Sequence, residues 1–380
     1  MAKKHKWIFV ARFRAGAYGW HGSALATKRL KEAITEIKKV ARTDAVLAAD
    51  GVVILMERLW PALEKIDTSS GALGTAVNRT LDELLSILIE APADLATRSQ
   101  WTDRLYEAVM DDGVDYLAEV QTAWGDICAF PELANRWADT LLAPLRDCWS
   151  KAGQGFVWFK GAAICLSSLV KTGRYAELEE LPSLHQQRSW YFERFGAEAL
   201  ARQGHVDEAV ARAEACLREI NQPAWQIFGF CERVLLQAGR RDEAYRRYAR
   251  GGSSQTSNLA AYRAILKKYP ERDSRQVLLD LAGTAGRGKW FAAAKEAGFL
   301  DLALEFAAES ANTGTLARAA RDFVTSNPKW AVQVAVIALR ELITAPSLEP
   351  QRQETIMACE ALLSGARATG KIEWGRSEIE

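Results

Sequence analysis

Apolar side chains recur every three or four residues along most of the chain, which is the spacing of one buried face of an α-helix. Between Ser23 and Arg42, the apolar positions on this spacing are Ala26, Leu30, Ala33, Ile34, Ile37 and Ala41. Long stretches lack the alternation of apolar and polar residues that is typical of a half-buried strand. The pattern therefore predicts an all-α protein.

Capping residues and prolines divide the first 152 residues into stacked helices. Asp44 is predicted to cap a second helix that runs through Ile66 and is kinked or split at Pro61. Residues 1–22 have no helical period and are predicted to form an irregular arm. Further helices are predicted after Thr68 up to Ala91, and at 94–111, 114–128 and 131–151.

A repeat is visible in the second half of the chain. Four segments place a turn glycine five residues before an Ala or Leu, with a helix start between them. They are Gly173-Arg-Tyr-Ala-Glu-Leu178, Gly204-His-Val-Asp-Glu-Ala209, Gly239-Arg-Arg-Asp-Glu-Ala244 and Gly298-Phe-Leu-Asp-Leu-Ala303. The intervals between the glycines are 31, 35 and 59 residues, which indicates a helical hairpin as the unit. Glycine can adopt φ > 0 and reverse the chain, and a small residue beyond it lets two helices approach closely.

These segments resemble the tetratricopeptide repeat (TPR), whose unit has a glycine in the inter-helix turn and a small residue early in its second helix. The resemblance covers residues 156–340. The matching pairs are Gly204 with Ala209, Gly239 with Ala244 and Gly298 with Ala303, while Ala197 matches a small first-helix position and Tyr248 a second-helix aromatic. The sequence departs from the pattern at Leu178, Glu232, Phe291 and 253–285. The resemblance implies a right-handed solenoid of helical hairpins, here preceded by N-terminal stacked helices.

The predicted organisation has four parts. They are a basic and aromatic arm (1–22), an N-terminal helical region (23–152), TPR-like helical repeats (156–345) and a C-terminal helix and tail (346–380) that frays near Glu380. The internal boundary is placed at Gly153-Gln154-Gly155.

Charge is unevenly distributed. Residues 1–42 contain eleven Lys and Arg against two Glu, a balance of +9, whereas the whole chain carries +1 and the remaining 338 residues therefore carry −8. The basic end is thus suited to anionic partners. The candidate anion or nucleic-acid contacts are Lys3, Lys4, Lys6, Arg12, Arg14, Lys28, Lys31 and Lys38.

Aromatic rings alternate with these cations at the start of the chain. Trp7, Phe9 and Phe13 are candidates for stacking on unpaired bases, because a single-stranded nucleic-acid surface combines cations for phosphates with rings for bases. The alternative interpretation is that the same rings dock the arm on the first helices.

Motifs for chemistry are weak. Gly283-Thr-Ala-Gly-Arg-Gly288-Lys289 has the glycine and lysine spacing of a phosphate-binding loop, but Trp290 stands where the magnesium-binding hydroxyl belongs. The six cysteines form no C-x-x-C pair and the acids at Asp111, Asp112 and Asp115 fall at a predicted helix junction. We therefore expect no catalytic, cofactor-binding or metal-binding residue and a protein that is not an enzyme.

The cellular setting is predicted from similar arguments. No apolar run approaches the roughly 18 residues that a membrane span requires, and Arg12 interrupts the only N-terminal apolar stretch before a signal-peptide core could form. The opening from Lys3 through Lys39 also resembles a group of uncharacterised bacterial helical proteins, which implies a bacterial, cytosolic setting and no activity. We expect a cytoplasmic, non-catalytic scaffold or adaptor whose solenoid binds a protein partner; the alternative is a nucleic-acid-associated protein that uses the arm.

Overall fold

The computed structural model describes residues 5–151, 158–181, 189–252, 257–283, 286–310, 312–344 and 352–377. Within these ranges the regular structure is helical and no strand occurs, which confirms the all-α prediction. The chain divides into two compact units, Met1–Pro223 and Ala224–Glu380. The boundary predicted at Gly153–Gly155 lies outside the described residues, and the four-part organisation stays a prediction.

The first unit begins with long helices and ends with shorter hairpins. Its helices are α1 (Ile8–Arg12), α2 (Ser23–Ala41), α3 (Ala45–Leu63), α4 (Ala72–Glu90), α5 (Leu95–Asp111), α6 (Ala118–Thr122), α7 (Trp124–Cys128), α8 (Pro131–Ser150), α9 (Ala162–Thr172), α10 (Tyr175–Glu180), α11 (Trp190–Arg202) and α12 (Val206–Cys216). Helices α2, α3 and α4 pack on one another, α3 also packs on α5, and α8 packs on α9.

The second unit is built from hairpins throughout its described residues. Its helices are α13 (Ala224–Gln237), α14 (Arg241–Ala244), which continues as a π-helical turn (Tyr245–Ala249), α15 (Asn258–Lys268), α16 (Ser274–Ala282), α17 (Phe291–Glu296), which follows a 3-10 turn (Arg287–Trp290), α18 (Leu300–Ala307), α19 (Thr313–Phe323), α20 (Pro328–Thr344), α21 (Arg352–Ala368) and α22 (Ile372–Ser377). Helices α19, α20 and α21 pack on one another.

Two predicted helices differ from the structure. Helix α3 begins after Asp44, whose side chain accepts a hydrogen bond from the N–H of Leu47 at 2.9 Å, but it runs through Pro61 and ends at Leu63. Pro61 cannot donate to the carbonyl of Glu57, so the helix loses one bond there, and it ends two residues later. The segment predicted as one helix at 114–128 is two short helices, preceded by Asp115 with a φ of 57°.

The predicted turn glycines share one backbone geometry. Gly173, Gly204, Gly239 and Gly298 have φ values of 72°, 84°, 75° and 87°, as the chain reversal requires. In each turn the N–H that follows the glycine donates to a carbonyl five residues earlier, which is the Schellman closure of a helix C-terminus. The bonds are Arg174 to Leu169, His205 to Leu200, Arg240 to Leu235 and Phe299 to Ala294.

A fifth hairpin of the same kind closes the second unit. Gly370 has a φ of 72°, and the N–H of Lys371 donates to the carbonyl of Ala366 at 2.8 Å. The residue five positions after the glycine is Gly375, where an added Cβ would lie 2.7 Å from the Cβ of Ala366. The sequence analysis expected a fraying tail here and missed α22.

The position five residues after each glycine is buried. The side chains of Ala209, Ala244 and Ala303 have no exposed surface, and Leu178 is 1% exposed. A small residue is therefore the rule at this helix contact, and the first hairpin accommodates a leucine. These positions therefore lie in the packed interior of the structure.

Candidate binding surfaces

The start of the chain is docked on α2 and α3 and contains the short helix α1. Both carboxylate oxygens of Glu36 accept backbone hydrogen bonds at the start of α1, from Ile8 at 2.7 Å and from Phe9 at 3.1 Å. A carboxylate is favourable at a helix N-terminus because the unpaired N–H groups there carry partial positive charge. The guanidinium of Arg12 bonds to Glu32, so α2 holds both ends of α1.

The rings proposed for base stacking lie in the core of the first unit. Trp7, Phe9 and Phe13 are 5%, 1% and 0% exposed, and Trp7 covers Gly51 of α3. A base cannot stack on a ring whose faces are already packed. The structure therefore corrects the sequence interpretation of these three residues: they anchor the N-terminal segment.

Six of the eight predicted cations lie in the described residues, and these six divide into two groups. Lys3 and Lys4 lie outside the described residues. Arg12 and Lys38 are bound to carboxylates, Arg12 to Glu32 and Lys38 to Glu83. The remaining four cations are exposed and form no ion pair within the part of the chain that the structure describes: Lys6, Arg14, Lys28 and Lys31.

A groove lies between α2 and α4 beside Lys31. Its volume is about 470 Å³. Its walls are Thr27, Leu30, Lys31, Ile34 and Thr35 of α2 and Ala72, Thr75, Ala76, Arg79, Thr80 and Glu83 of α4. On each helix, the wall residues recur at alternating intervals of three residues and one residue, so they lie on one face of that helix. The two facing helix surfaces therefore form the sides of the groove. The groove is open because α4 contributes mainly Ala and Thr.

One end of this groove is closed by charges. Glu83 accepts hydrogen bonds from Lys38 at 2.8 Å and from Arg79 at 3.1 Å. The Lys38 hydrogen bond is the main reason that the pKa of Glu83 lies below its usual value. Glu83 is the only carboxylate among the described lining residues, and two cations neutralise it. The lining is therefore positive, with Lys31 unpaired.

Three of the five hairpin turns share an ion pair or hydrogen bond beside the turn glycine. The residue after the glycine pairs with the acid three positions later: Arg174 Nε with Glu177 at 2.6 Å, His205 Nδ1 with Glu208 at 2.9 Å and Arg240 Nε with Glu243 at 2.8 Å. These pairs correspond to the sequence motif Gly-[Arg/His]-x-x-Glu, which is not among the patterns described above. Each pair joins the turn to the first turn of the following helix.

Ion pairs also connect residues that are 26 to 35 positions apart in the sequence. Arg174 bonds to Asp139 at 2.5 Å, Arg212 to Glu179 at 2.6 Å, Arg241 to Glu271 at 3.0 Å and Arg275 to Asp301 at 3.0 Å. Most of these groups are half-exposed, so each pair contributes little alone. Much of the charge along the hairpins is thus used within the molecule and is not available to a partner.

Arg98 and Glu232 are two of the buried charged side chains, and both have structural roles. Arg98 is 2% exposed and donates to the carbonyls of Ile89 at 2.9 Å and Ile127 at 2.6 Å, among others, where α4 and α7 end. Burial lowers the pKa of Arg98. Glu232, also 2% exposed, accepts from Lys268 and Tyr269 at 2.7 Å each. Both residues satisfy buried polar groups and neither faces a cavity described above.

The glycines of the phosphate-loop-like segment have packing roles. A Cβ on Gly288 would lie 2.1 Å from the carbonyl oxygen of Glu309, so glycine permits a close backbone approach. Gly283 lies against the guanidinium of Arg250, with a φ of 64°. The segment starts after helix α16 and leads into a 3-10 turn, so the strand context of a phosphate-binding loop is absent from these described residues. Lys289 lines an open cavity of about 800 Å³ together with Glu309, Arg318 and Glu354.

The acidic cluster and the cysteines are also accounted for by local structure. The carboxylate of Asp112 accepts from the N–H of Leu117 at 2.8 Å and of Val114 at 3.2 Å, and burial raises its pKa. Burial raises the pKa of the Cys128 and Cys165 thiols to about 12. Among the described residues, no group of three His, Cys, Asp or Glu side chains is placed to hold a metal ion.

The groove was missed in the sequence because its two walls are about 45 residues apart. The sequence pattern identifies the cations of α2, but it does not single out the small residues Ala72, Thr75 and Ala76 of α4. Their spacing of three and one was the available signal. It carries weight only once α2 and α4 are known to pack together.

The fold defines a class: an all-α protein of stacked helical hairpins. No helix within the described residues has the length and apolarity that a bilayer crossing demands. A scan of the chain against models of known protein families finds no match, and a search of curated proteins finds no similar sequence. The functional argument therefore rests on geometry.

Proposed function

We propose that the protein is a non-catalytic scaffold or adaptor that binds another protein through its helical hairpins. The observation that carries the proposal is the turn repeated at Gly173, Gly204, Gly239, Gly298 and Gly370, each with positive φ. Proteins built from such repeats present extended surfaces of successive hairpins, which they use for binding. A TPR-like repeat, and a bacterial cytoplasmic setting, are part of this proposal.

The distribution of chemical groups supports a binding role over a catalytic one. Acids and bases on the described surface are largely paired with each other, as in Arg174 with Glu177 and Arg212 with Glu179. Catalytic sites instead concentrate titratable groups with shifted pKa values in a pocket. Most of the shifted groups are capping, ion-paired or core residues, and Asp82, whose pKa burial raises, is an exception.

Recovery from the native cell tests the proposal. The full chain would carry an affinity tag, be cross-linked in its own cells and be purified after nuclease treatment, with the tag alone as the control. We expect one or a few proteins to be enriched in amounts comparable to the bait. Recovery of the bait alone, at its natural abundance, would contradict the proposal.

A nucleic-acid-associated role is the second candidate. The exposed cations Lys6, Arg14, Lys28 and Lys31 favour it, whereas the burial of Trp7 and its neighbouring rings removes the stacking contribution. Binding to a labelled single strand would then be purely electrostatic and would weaken steeply with salt. If the scaffold proposal alone is correct, we expect no binding of the labelled single strand at physiological salt.

A further inference from the structure

We infer that the groove between α2 and α4 is a docking site for an acidic, amphipathic helical segment of a protein partner. The inference rests on the proposed scaffold function and adds the site and the chemistry of the partner. Three properties of the groove lead to it: its shape, its floor and its charge.

The shape fits a helix. Both α2 and α4 are 19 residues long, and the groove follows their facing sides from Thr27 and Ala72 to Thr35 and Glu83. A helix laid between two helices fills such a groove with side chains spaced at three and four residues. The small residues Ala72 and Ala76 leave the space that those side chains need.

The floor is aliphatic. Leu30 and Ile34 are buried at its base, and no aromatic side chain is among its described lining residues. The hydroxyls of Thr35, Thr75 and Thr80 donate to carbonyls of their own helices, at 2.9, 3.0 and 2.7 Å, so their proton is already used. The floor therefore suits apolar side chains, and it offers no ring on which a base could stack.

The rim is positive. Lys31 forms no ion pair among the described residues, and Arg79 reaches only Glu83, which Lys38 already binds. Lys28, one turn before Lys31 on α2, is likewise exposed and forms no described ion pair, although its charge acts on Glu32. Charge complementarity thus calls for acids flanking the apolar face of the bound segment, and an aliphatic floor under a cationic rim favours a peptide over a nucleic acid.

Binding of a defined peptide tests this inference on the full chain. The probe is a fluorescein-labelled helical peptide of about 18 residues, of which about 11 would span the groove at 1.5 Å per residue, with Leu on one face and Glu on the other. Its affinity would be measured by fluorescence anisotropy at physiological salt. Saturable binding is expected, and a scrambled peptide of equal composition should bind at least about tenfold more weakly, or about 1.4 kcal/mol.

Matched variants locate the binding. Ala76→Leu fills the groove and Lys31→Glu reverses its rim charge. Each substitution should therefore lower the affinity for the peptide by about tenfold. Asn78→Leu on the same helix and Lys39→Glu on α2 are exposed positions outside the lining and should leave the affinity unchanged. Circular dichroism and thermal unfolding of all four variants would establish that they fold equally.

Other outcomes would overturn the inference. Equal binding of the scrambled peptide would indicate charge attraction without a groove. A labelled single strand that competes for the site with the same sensitivity to Lys31→Glu would assign the groove to nucleic acid. A concentration-dependent dimer that Ala76→Leu dissociates would assign it to a second copy of the chain. Absence of any saturable peptide binding would also reject it.

The two proposals fail separately. If cross-linking recovers a protein partner whose enrichment Ala76→Leu and Lys31→Glu do not change, the scaffold function stands and the groove is not its site. If no partner is recovered, the scaffold proposal fails, and the anisotropy measurement still reports on the groove alone.

Discussion

Trp7 lies so close to Gly51 that a Cβ at residue 51 would stand 2.3 Å from Cζ2 of the indole. The contact joins the N-terminal segment to the middle of α3 and explains why a glycine occurs inside that helix. Only a residue without a side chain leaves room for the ring.

Gly51→Ala should undock the N-terminal segment. Ala favours the helix interior by about 0.5–1 kcal/mol, but overpacking against Trp7 costs about 1–3 kcal/mol, so the net free energy of unfolding should fall. Urea unfolding measures this change, and limited proteolysis reports whether the segment becomes accessible.

A double-mutant cycle provides the control. In a Trp7→Ala background the clash is gone, so Gly51→Ala should become neutral or stabilising. The same loss of stability in both backgrounds would show that the contact is not the cause.

Gly239→Ala should destabilise the second unit by about 1 kcal/mol. The φ of Gly239 is 75°, and no atom lies within 4 Å of an added Cβ, so the cost is one of backbone conformation alone. Asn tolerates this conformation better than Ala does. The unfolding free energy of Gly239→Asn should therefore lie between those of the wild type and Gly239→Ala. Thermal or urea unfolding supplies the measurement.

The matched control lies in the helix that precedes the same turn. Gly229 is inside α13, and its added Cβ would meet only the carbonyl oxygen of Gly252 at 3.9 Å. Gly229→Ala should therefore stabilise by about 0.5–1 kcal/mol, the opposite sign. Two substitutions of the same sign would contradict the assignment of the turn.

Arg98→Met should lower the free energy of unfolding by about 2–4 kcal/mol. The substitution keeps an apolar stem but leaves the buried carbonyls of Ile89 and Ile127 without their donor. Arg146→Met, which removes a half-exposed pair with Glu180, should change it by less than about 1 kcal/mol. Comparable effects of the two variants would argue against the capping role.

Asp301 should make stability depend on acid pH. Its bond to Arg275 lowers its pKa from 3.8 to about 2. Because the folded pKa is the lower one, the carboxylate stabilises the fold above pH 3.8, and this contribution disappears as pH falls toward 2. The difference in unfolding free energy between the wild type and Asp301→Asn should shrink over that range.

The same difference should also shrink in 1 M salt, because both side chains are partly exposed and their attraction is screened. NMR titration of the Asp301 carboxyl would measure its pKa directly. A midpoint near the usual value would reject the pairing in solution.

Sequence patterns predicted the helices and the hairpin turns well because both are local. The cap at Asp44 and the positive φ of Gly204 depend on a few neighbouring residues, and periodicity identifies the buried face of each helix. Helix α22 was missed because Gly375 replaces the expected Ala, although a glycine is the smaller residue still.

The fate of the N-terminal rings could not be predicted from local pattern. Cations and aromatics alternate in the same way whether the rings face solvent or a core, and the outcome is decided by Gly51, 44 residues after Trp7. The α2 and α4 groove likewise depends on which helices become neighbours. Such relationships belong to tertiary packing, which a single sequence does not display.

The Schellman turns are local, which bears on how the repeats arose and on how they can be engineered. From Leu169 to Leu178, and again from Leu200 to Ala209, the closing hydrogen bonds and the next helix start are contained in about ten consecutive residues. A hairpin can therefore be copied, deleted or exchanged between its loops without redesigning its turn. Grafted repeats should keep their reversal even when every helix face around them is rewritten.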